Sequence, residues 1–308
     1  MLFLDGVGIG VEDSVVNPFF RAKLPSLRSL FAGERPTLDK QFLQNGSATL
    51  IPLDPNLGIE GLPQSGTGQT ALFTGVNASQ RIGKHFGPYP YSSLRPIIQE
   101  KNIFRQLKEA DKSVYFANAY PQKFFDYFKD KQTRLTVTTL SCSYCDMPLH
   151  HVGELEKGRA ISADITNAGW PRMGYTQLLP IEPAEAGRRL TQLSAEYDFV
   201  LFEYWKTDKA GHSERMGDAV EALELFDGML GGILETLDTS ETLLLITSDH
   251  GNIEDMSTKV HTRNPVPVIL FGHRHREVAE TLSQQPDLTN VTPTLTKFIT
   301  QQVAAPVQ

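Results

Sequence analysis

The sequence predicts an α/β fold with a mostly parallel central sheet and helices on both faces. Short apolar runs of strand length alternate with amphipathic stretches along the 308-residue chain. The runs "TLLLITSD" and "VPVILFG" are rich in Ile, Leu and Val, as buried strands are. Strands that alternate with helices indicate βαβ units, whose parallel sheet is covered on both faces.

Each element is predicted from a local pattern. The N-terminal "LFLD" is predicted as a buried strand that ends at an acid. The segment "QTALFTG" is predicted as a helix that ends at Gly75, because glycine commonly terminates helices. The amphipathic "NIFRQLKEA" precedes a predicted strand, "SVYFANA". The helix "PAEAGRRLTQLSAEY", which has proline at an early position, precedes the predicted strand "DFVLFEY".

One region lacks this alternation. Residues 121–174 are rich in aromatic side chains and only weakly periodic. We expect them to form a small insertion or lid over the sheet. Residues 1–120 and 175–308 are expected to form the core of the fold.

Composition and charge restrict the possible functions. A formal net charge of −7 argues against a nucleic-acid-binding surface, which needs clustered Lys and Arg. No apolar run approaches the roughly 20 residues of a membrane span, so no membrane association is expected. The apolar "MLFL" stops at Asp5, which argues against a signal peptide. We therefore expect a cytoplasmic enzyme, and the sequence leaves its oligomeric state open.

Both cysteines lie in "CSYC", as Cys142 and Cys145. Two cysteines in a chain of this length do not make a disulfide scaffold, which agrees with a reducing compartment. A zinc knuckle with His150 and His151, or a redox pair, is an alternative, but no second strong pair of ligands surrounds them. Unpaired thiols are the favoured interpretation.

Candidate metal ligands stand at the ends of predicted strands, where an open parallel sheet binds its ligands. They are Asp5, which closes "LFLD"; Asp208 and His212, just past "DFVLFEY"; Asp249 and His250, which close "TLLLITSD"; and His261, before "VPVILFG". Carboxylate oxygen and neutral imidazole suit zinc or manganese better than calcium. Each feature alone could be a turn, a helix cap or a surface pair, but their joint occurrence favours a metal site.

A further candidate is the hydroxyl-rich stretch "LPQSGTGQTALFTG". A hydroxyl just before a helix N-terminus gains free N–H groups and the positive end of the helix dipole, which suit phosphate. Coordination to a metal would lower the pKa of such a hydroxyl and make it a nucleophile. The alternative is a glycine-rich turn in which Ser65 caps the helix.

These motifs resemble the alkaline phosphatase superfamily, and most of all its branch of cofactor-independent phosphoglycerate mutases and phosphopentomutases. The segment "SDHGNIEDMSTKVHTRNPVPVILFG" resembles the C-terminal metal-binding segment of that branch. In addition, "TDKAGH" resembles its DxxxH segment, and "FLDGVGIG" resembles its opening strand end. The likeness covers residues 1–80 and those after residue 180, and it implies an alkaline phosphatase-like core.

The resemblance implies two divalent ions, Zn²⁺ or Mn²⁺, each held by its own group of side chains. The two groups are Asp208, His212 and His261, and Asp5, Asp249, His250 and the nucleophile. Counting back nine residues from the Thr-Gly pair that ends at Gly75 gives Ser65 as the nucleophile. An alignment of "GQT" with the mutases' Gly-Asn-Ser gives Thr70 instead, which would fall inside the helix.

Three further residues, in "RIGKHFGPYP", are candidates for contact with phosphate: Arg81, Lys84 and His85. A sulfatase is not indicated, because the residues around Ser65 lack the Cys/Ser-x-Pro-x-Arg pattern.

The size of the insertion indicates the reaction. The mutases carry a substantial cap domain that shields the phospho-enzyme from water, and residues 121–174 are too few for such a cap. A poorly shielded phospho-serine is open to attack by water. The sequence therefore predicts a two-metal phosphatase or phosphodiesterase that acts on a small phosphorylated substrate. A phosphomutase acting on a sugar phosphate or a phosphoglycerate is the alternative. A non-catalytic metal-binding homologue is disfavoured, because every candidate ligand is present.

Overall fold

The computed structural model describes residues 1–130 and 134–301, in which a seven-stranded sheet lies between two layers of helices. The strands of these residues are β1 Leu2–Leu4, β2 Leu43–Gln44, β3 Ala48–Leu53, β4 Val114–Phe116, β5 Asn118–Ala119, β6 Ile161–Ser162, β7 Phe199–Tyr204, β8 Leu243–Thr247 and β9 Val266–Gly272. The α-helices are α1 Pro25–Leu30, α2 Ser65–Thr74, α3 Ala78–Ile82, α4 Arg95–Lys101, α5 Ile103–Glu109, α6 Gln122–Asp130, α7 Val137–Tyr144, α8 Val152–Glu156, α9 Pro183–Glu196, α10 Lys206–Ser213, α11 Met216–Thr236, α12 His275–Ser283 and α13 Val291–Thr300. Short 3-10 helices lie at Pro18–Phe20, Ser92–Leu94, Pro171–Met173 and Leu288–Asn290. Within the described ranges, no helix combines the length and apolarity that a membrane crossing requires.

The central sheet has the strand order β2-β3-β9-β8-β1-β7-β4. Strand β1 pairs in parallel with β7 and β8, and β7 pairs in parallel with β4. Strand β9 is antiparallel to both β8 and β3, and β2 is antiparallel to β3. Five of these seven described strands therefore run in one direction, which confirms the predicted mostly parallel sheet.

Strand β1 shows why helices cover both faces of the sheet. Successive side chains of a strand point to opposite faces. Leu2 and Leu4 lie in one apolar core with residues of α1, α9 and α11, whereas Phe3 lies in a second core with residues of α2, α5, α7, α12 and α13. All three side chains are buried, so the strand has no face toward water.

The predicted strand "SVYFANA" is divided between two sheets. Strand β4 forms an edge of the central sheet, whereas β5 pairs in parallel with β6 in a separate two-stranded sheet. The chain therefore leaves the central sheet before it enters the predicted insertion.

Residues 121–174, the predicted insertion, contain α6, α7, α8 and β6. Helix α7 places Val137, Leu140 and Cys142 in the same apolar core as α2 and α5. Trp170 and Leu155 belong to a smaller apolar cluster. Part of this segment thus packs into the body of the protein, and its action as a lid stays a prediction.

Candidate metal centre

The candidate ligands lie at one edge of the sheet, where the carboxyl ends of the parallel strands meet. Asp5 follows β1, Asp249 follows β8, and Asp208 lies in α10, which begins shortly after β7 ends. Strand β9 runs the opposite way, so its beginning pairs with the end of β8. The loop that carries His261 precedes β9 and therefore reaches the same edge.

The first group consists of Asp208, His212 and His261, whose ligand atoms lie within 4.8 Å of one another. His212 Nε2 lies 3.3 Å from Asp208 Oδ2, and His261 Nε2 lies 3.5 Å from Asp208 Oδ1. Asp208 and His212 are four residues apart in α10, so one helical turn places them on the same side. The side chain of His212 is 45% exposed, which leaves this group open to water.

The second group consists of Asp5, Asp249 and His250, and Ser65 joins it. His250 Nε2 lies 3.3 Å from Asp5 Oδ1, 3.5 Å from Asp249 Oδ2 and 3.0 Å from Ser65 Oγ. All four residues are buried. Three oxygens from different segments therefore converge on one nitrogen, next to the first residue of α2.

Backbone carbonyls determine which nitrogen of an imidazole faces the centre. His212 Nδ1 lies 2.7 Å from the Lys259 carbonyl oxygen, and His261 Nδ1 lies 2.7 Å from the Pro63 carbonyl oxygen. A carbonyl oxygen only accepts, so each Nδ1 carries a proton and donates it. In the neutral imidazole, Nε2 is then the atom available to a metal ion.

The second group concentrates negative charge away from water. Burial, and then the nearby Asp249 carboxylate, raises the pKa of Asp5 to about 7. Burial likewise raises the pKa of Asp249 to about 6. Burial opposes a charged His250, but Asp249 and Asp5 outweigh it and raise the pKa of His250 to about 10. A proton thus lies among these groups in the metal-free protein, and a divalent ion in its place would neutralise both carboxylates.

In the first group, contacts with histidine favour the ionised carboxylate. Burial opposes ionisation of Asp208, but contacts with His212 and His261 hold the pKa of Asp208 well below its usual range. The same contact with Asp208 raises the pKa of His212. Asp208 is therefore ionised near neutral pH, as a carboxylate ligand must be.

The residues present fit two divalent ions. Asp5 Oδ1 and Asp249 Oδ2 are buried and have no hydrogen-bond partner in the described parts of the chain. An unsatisfied buried carboxylate oxygen is costly, and a cation would satisfy both. The two groups offer carboxylate oxygens and imidazole nitrogens, a donor set that suits Zn²⁺ or Mn²⁺.

The two candidate nucleophiles differ in their surroundings. Ser65 is the first residue of α2 and contacts His250. The segment "QTALFTG" predicted a helix from Gln69, but the helix begins four residues earlier, at Ser65. Thr70 lies inside the helix, where its hydroxyl donates to the Gly66 carbonyl oxygen at 2.6 Å. The structure thus brings the Ser65 hydroxyl to the centre, whereas the Thr70 hydroxyl is engaged within α2.

Of the predicted phosphate contacts, Arg81 lies in the last turn of α3, and Lys84 and His85 lie in the loop that follows it. Arg81 and Lys84 are exposed. His85 is engaged at both ring nitrogens, with Nδ1 3.1 Å from the Ser79 hydroxyl and Nε2 3.2 Å from the Ile59 carbonyl oxygen. Burial lowers the pKa of His85. These contacts hold the loop in place, and a role in phosphate binding stays a prediction.

A segment after this loop crosses the beginning of α2. The Thr67 N–H donates to the Phe86 carbonyl oxygen at 2.9 Å. A Cβ atom at position 66 would lie 2.3 Å from the Tyr89 carbonyl oxygen, so the close approach requires Gly66. The outer part of this segment borders an open cavity of about 690 Å³, whose lining includes Phe86, Tyr89, Tyr91, Arg95 and Arg134.

Two amides that were not predicted as site residues support the carboxylates. Gln69 Nε2 donates to Asp5 Oδ2 at 3.3 Å, and Asn252 Nδ2 donates to Asp208 Oδ1 at 2.7 Å. Both amides are buried. Gln69 lies four residues after Ser65, and this helical spacing is the signal that could have indicated it.

Cys142 and Cys145 are free and buried, which confirms the unpaired thiols. Burial raises the pKa of both thiols, which makes them poor nucleophiles. Within residues 1–130 and 134–301, the groups of three or more possible metal ligands do not include these cysteines, His150 or His151. The structure therefore gives no support to a zinc knuckle.

Comparison with known proteins agrees with this centre. Residues 182–302 match the family model described as "Metalloenzyme superfamily". Similar curated proteins include two enzymes named 2,3-bisphosphoglycerate-independent phosphoglycerate mutase. That of Thiobacillus denitrificans is 36% identical over 113 residues, which cover 34% of this chain and 21% of that protein. That of Prochlorococcus marinus is 34% identical over 136 residues, which cover 39% of this chain and 25% of that protein. The similarity thus spans a fifth to a quarter of the length of these relatives.

Solved structures extend the likeness to the whole fold. The PH0037 protein from Pyrococcus horikoshii aligns with 99% of this chain and 98% of its own, with a TM-score of 0.55 and 14% identity. A mutant alkaline phosphatase from the Antarctic bacterium TAB5, with Mg bound, aligns over 97% of both chains, with a TM-score of 0.50 and 13% identity. At such identity the likeness shows the fold alone. Residues 182–302 are therefore similar to the metalloenzyme superfamily, and the chain as a whole has the fold shared by these solved structures.

Proposed function

We propose that the protein is a two-metal-dependent phosphoric ester hydrolase, a phosphatase or phosphodiesterase that acts through Ser65. One observation carries this proposal: Ser65 Oγ lies 3.0 Å from His250 Nε2, the atom on which Asp5 and Asp249 also converge. A hydroxyl among the ligands of a cation is the arrangement of an activated nucleophile. The match of residues 182–302 to a metalloenzyme superfamily supports the same proposal.

Each ion would have its own ligands. One would be held by Asp208, His212 and His261, and the other by Asp5, Ser65, Asp249 and His250. When bound, divalent cations lower the pKa of the serine hydroxyl and neutralise phosphoryl oxygens. The mixed oxygen and nitrogen donors favour Zn²⁺ or Mn²⁺.

The covalent steps take place on Ser65. The hydroxyl loses its proton to solvent, Oγ forms a bond to phosphorus, and the bond between phosphorus and the leaving oxygen breaks. The leaving oxygen takes up a proton. Water then attacks phospho-Ser65, the Oγ–P bond breaks, and the serine oxygen regains a proton as the phosphate product leaves. The N-terminus of α2, which begins at Ser65, adds partial positive charge next to the phosphoryl group.

Two features favour hydrolysis over transfer within a bound substrate. The side chain of His212 is 45% exposed, so water can reach the first group. Helix α7 packs into the apolar core that contains Phe3, α2 and α5, which leaves less of residues 121–174 to cover a substrate. A mutase has to keep water away from phospho-Ser65 while its substrate reorients.

A phosphomutase is the second candidate, because the similar curated proteins are named phosphoglycerate mutases. The cavity beside the beginning of α2 would suit its anionic substrate, a sugar phosphate or a phosphoglycerate, because Arg95 and Arg134 line it. Both candidates use a small phosphorylated substrate and phospho-Ser65, so they differ only in the fate of the phosphoryl group.

Trapping of the phospho-enzyme tests the proposal. Enzyme loaded with Mn²⁺ is mixed with an aryl phosphate labelled with ³²P, quenched in acid and digested, and the labelled peptide is located by mass spectrometry. We expect the label on Ser65, none in Ser65→Ala and normal labelling in Thr70→Val. Label on another residue, in an enzyme that turns over, would contradict the role of Ser65.

A further inference from the structure

Glu254 is a buried carboxylate that accepts hydrogen bonds from three segments around the centre. The N–H groups of Gly8 and Asn252 each donate to Glu254 Oε2 at 2.8 Å. Asn264 Nδ2 donates to Oε1 at 3.0 Å, and the Thr262 hydroxyl donates to the same oxygen. Four neutral donors thus satisfy both oxygens, so Glu254 is occupied as an acceptor and is not itself placed as a metal ligand.

The surrounding backbone is shaped to this carboxylate. A Cβ atom at Gly8 would lie 2.3 Å from Glu254 Oε1; a Cβ atom at Gly251 would lie 2.3 Å from the same oxygen and 2.2 Å from the Thr262 hydroxyl oxygen. Any side chain at either position would displace the carboxylate. The close approach of Glu254 therefore requires Gly8, and that of Glu254 and Thr262 together requires Gly251, at backbone φ angles that other residues could adopt.

Each segment that Glu254 holds also carries or supports a candidate ligand. The pairs are Gly8 with Asp5 three residues before it, Asn252 with Asp208 through the hydrogen bond to Oδ1, and Thr262 with His261 directly before it. Asp5 belongs to the second group of ligands, and the other two belong to the first.

We propose that Glu254 is a positioning residue that sets the two groups of ligands at a fixed separation. It connects the segment after β1 with the loop between β8 and β9, and it reaches α10 through Asn252. This inference rests on the proposed function, because it assumes that both groups bind ions. Loss of the negative charge at residue 254 is expected to weaken both ion sites together.

Glutamine tests the charge while it keeps the volume. A carboxylate accepts through both oxygens, whereas an amide accepts through one and presents an NH₂ group at the other position. In Glu254→Gln, two of the four donors would therefore face another donor. The segments would move apart although no cavity is created.

Asp227 provides a matched control. It is 2% exposed, lies in α11, and accepts from the N–H groups of Ser26 and Leu27 at 3.0 and 2.8 Å. Asp227→Asn removes a buried carboxylate of comparable burial that supports α1 and belongs to neither group of ligands. It therefore reports the effect of general destabilisation.

The experiment is a calorimetric titration of metal-free protein with Mn²⁺, with folding of each variant verified by circular dichroism at the same temperature. We expect Glu254→Gln to weaken both Mn²⁺ sites by roughly 10- to 100-fold, the range typical of residues that orient metal ligands. Asp227→Asn should stay within about twofold of wild type, although both variants lose thermal stability.

Three outcomes would overturn the inference: unchanged affinity in folded Glu254→Gln, an equal loss in Asp227→Asn, or a loss confined to one site. If Glu254→Gln does not fold, Thr262→Val serves instead, because it removes only one of the four donors to Glu254. This variant should weaken mainly the ion site of His261. Wild-type affinity for Mn²⁺ in Thr262→Val would then overturn the inference. Wild-type protein that binds neither Mn²⁺ nor Zn²⁺ would refute the proposed function itself, so the two failures are distinguishable.

Discussion

The imidazole rings of His250 and His261 stack, with their centroids 3.8 Å apart and their planes inclined by 16°. His250 belongs to the group with Asp5 and Asp249, whereas His261 belongs to the group with Asp208. The two groups therefore adjoin along this pair of rings. The residues that would hold the two ions thus form one centre, and two cations at one centre can supply charge to the same phosphoryl group.

Separate groups predict that single substitutions remove one ion each. His261→Ala and Asp249→Ala are each expected to lower the metal content from about two ions per chain to about one. The reason is that each substitution removes a ligand from only one group. Elemental analysis of protein loaded with Mn²⁺ or Zn²⁺ and then desalted measures the content.

The stacked rings require a control for this measurement, since loss of His261 also removes a neighbour of His250. His212→Ala affects the same group as His261→Ala, and the His212 imidazole is not part of the stacked pair of His250 and His261. Both variants should empty the same site. Full occupancy of both sites in His212→Ala and Asp249→Ala would refute the assignment of ligands.

Ser65→Ala is expected to lower kcat by roughly 10³-fold or more, because the oxygen that forms the covalent bond is lost. Metal content should change little, since Asp5, Asp249 and His250 remain. Thr70→Val should keep kcat within several-fold of wild type, because the Thr70 hydroxyl donates to the Gly66 carbonyl oxygen within α2. Steady-state rates with an aryl phosphate in excess Mn²⁺ distinguish Ser65 from Thr70 as the nucleophile. An active Ser65→Ala together with an inactive Thr70→Val would make Thr70 the nucleophile.

Hydrolysis is expected to be faster than isomerisation. Metal-loaded enzyme should release inorganic phosphate from an aryl phosphate, and should convert phosphoglycerates or ribose phosphates only slowly, because the first group of ligands is open to water. Free phosphate and the positional isomer are followed in the same tube by ³¹P NMR. Isomer that forms much faster than free phosphate would replace the hydrolase with the mutase.

Glu203 predicts a dependence of stability on pH in the metal-free protein. This carboxyl group lies on β7, and burial raises its pKa from 4.5 to about 7. Its Oε1 has no hydrogen-bond partner among the described residues, and Oε2 accepts from the Thr138 hydroxyl. Between the two pKa values the folded protein binds more protons than the unfolded chain. The contribution of Glu203 to the free energy of unfolding is therefore lost as pH rises from 4.5 to about 7.

Glu203→Gln removes this titration. The difference in free energy of unfolding, variant minus wild type, should rise with pH over this window by up to about 3 kcal/mol, at 1.36 kcal/mol per pKa unit. Urea unfolding in the presence of a chelator, from pH 4.5 to pH 8, measures it. A difference that stays constant with pH would show that Glu203 is ionised throughout this window.

Most of the central strands could be predicted because they are continuous apolar runs between two helical layers. Strand β3 was not predicted, since Pro52 interrupts a run that also contains Thr49, and proline inside a strand argues against a central position. Pro52 lies opposite Pro267 of β9, so at this register position neither strand has an N–H to donate. The antiparallel direction of β9 is explained by its connection to β8. Residues 248–265, all of them described, contain no helix, and a helix is the usual crossover between parallel strands.

The candidate ligands could be identified because aspartate and histidine at strand ends follow the rules of an open sheet. The supporting residues could not, because buried amides and carboxylates such as Gln69, Asn252 and Glu254 also occur in ordinary turns and helices. Their roles depend on contacts with residues far away in sequence, such as the contact of Glu254 with Gly8.

The strand order brings Asp5, Asp208 and His261 to one edge of the sheet although they are far apart in the chain. An unfolded chain cannot bring them together, so ions that bind this centre bind the native state alone. Their binding would raise the free energy of unfolding by about 2.7 kcal/mol at a hundredfold excess over Kd. In a protein whose two cysteines are not joined, the ions would act as reversible cross-links between distant loops. Metal depletion would then expose the chain to proteolysis as well as stop turnover.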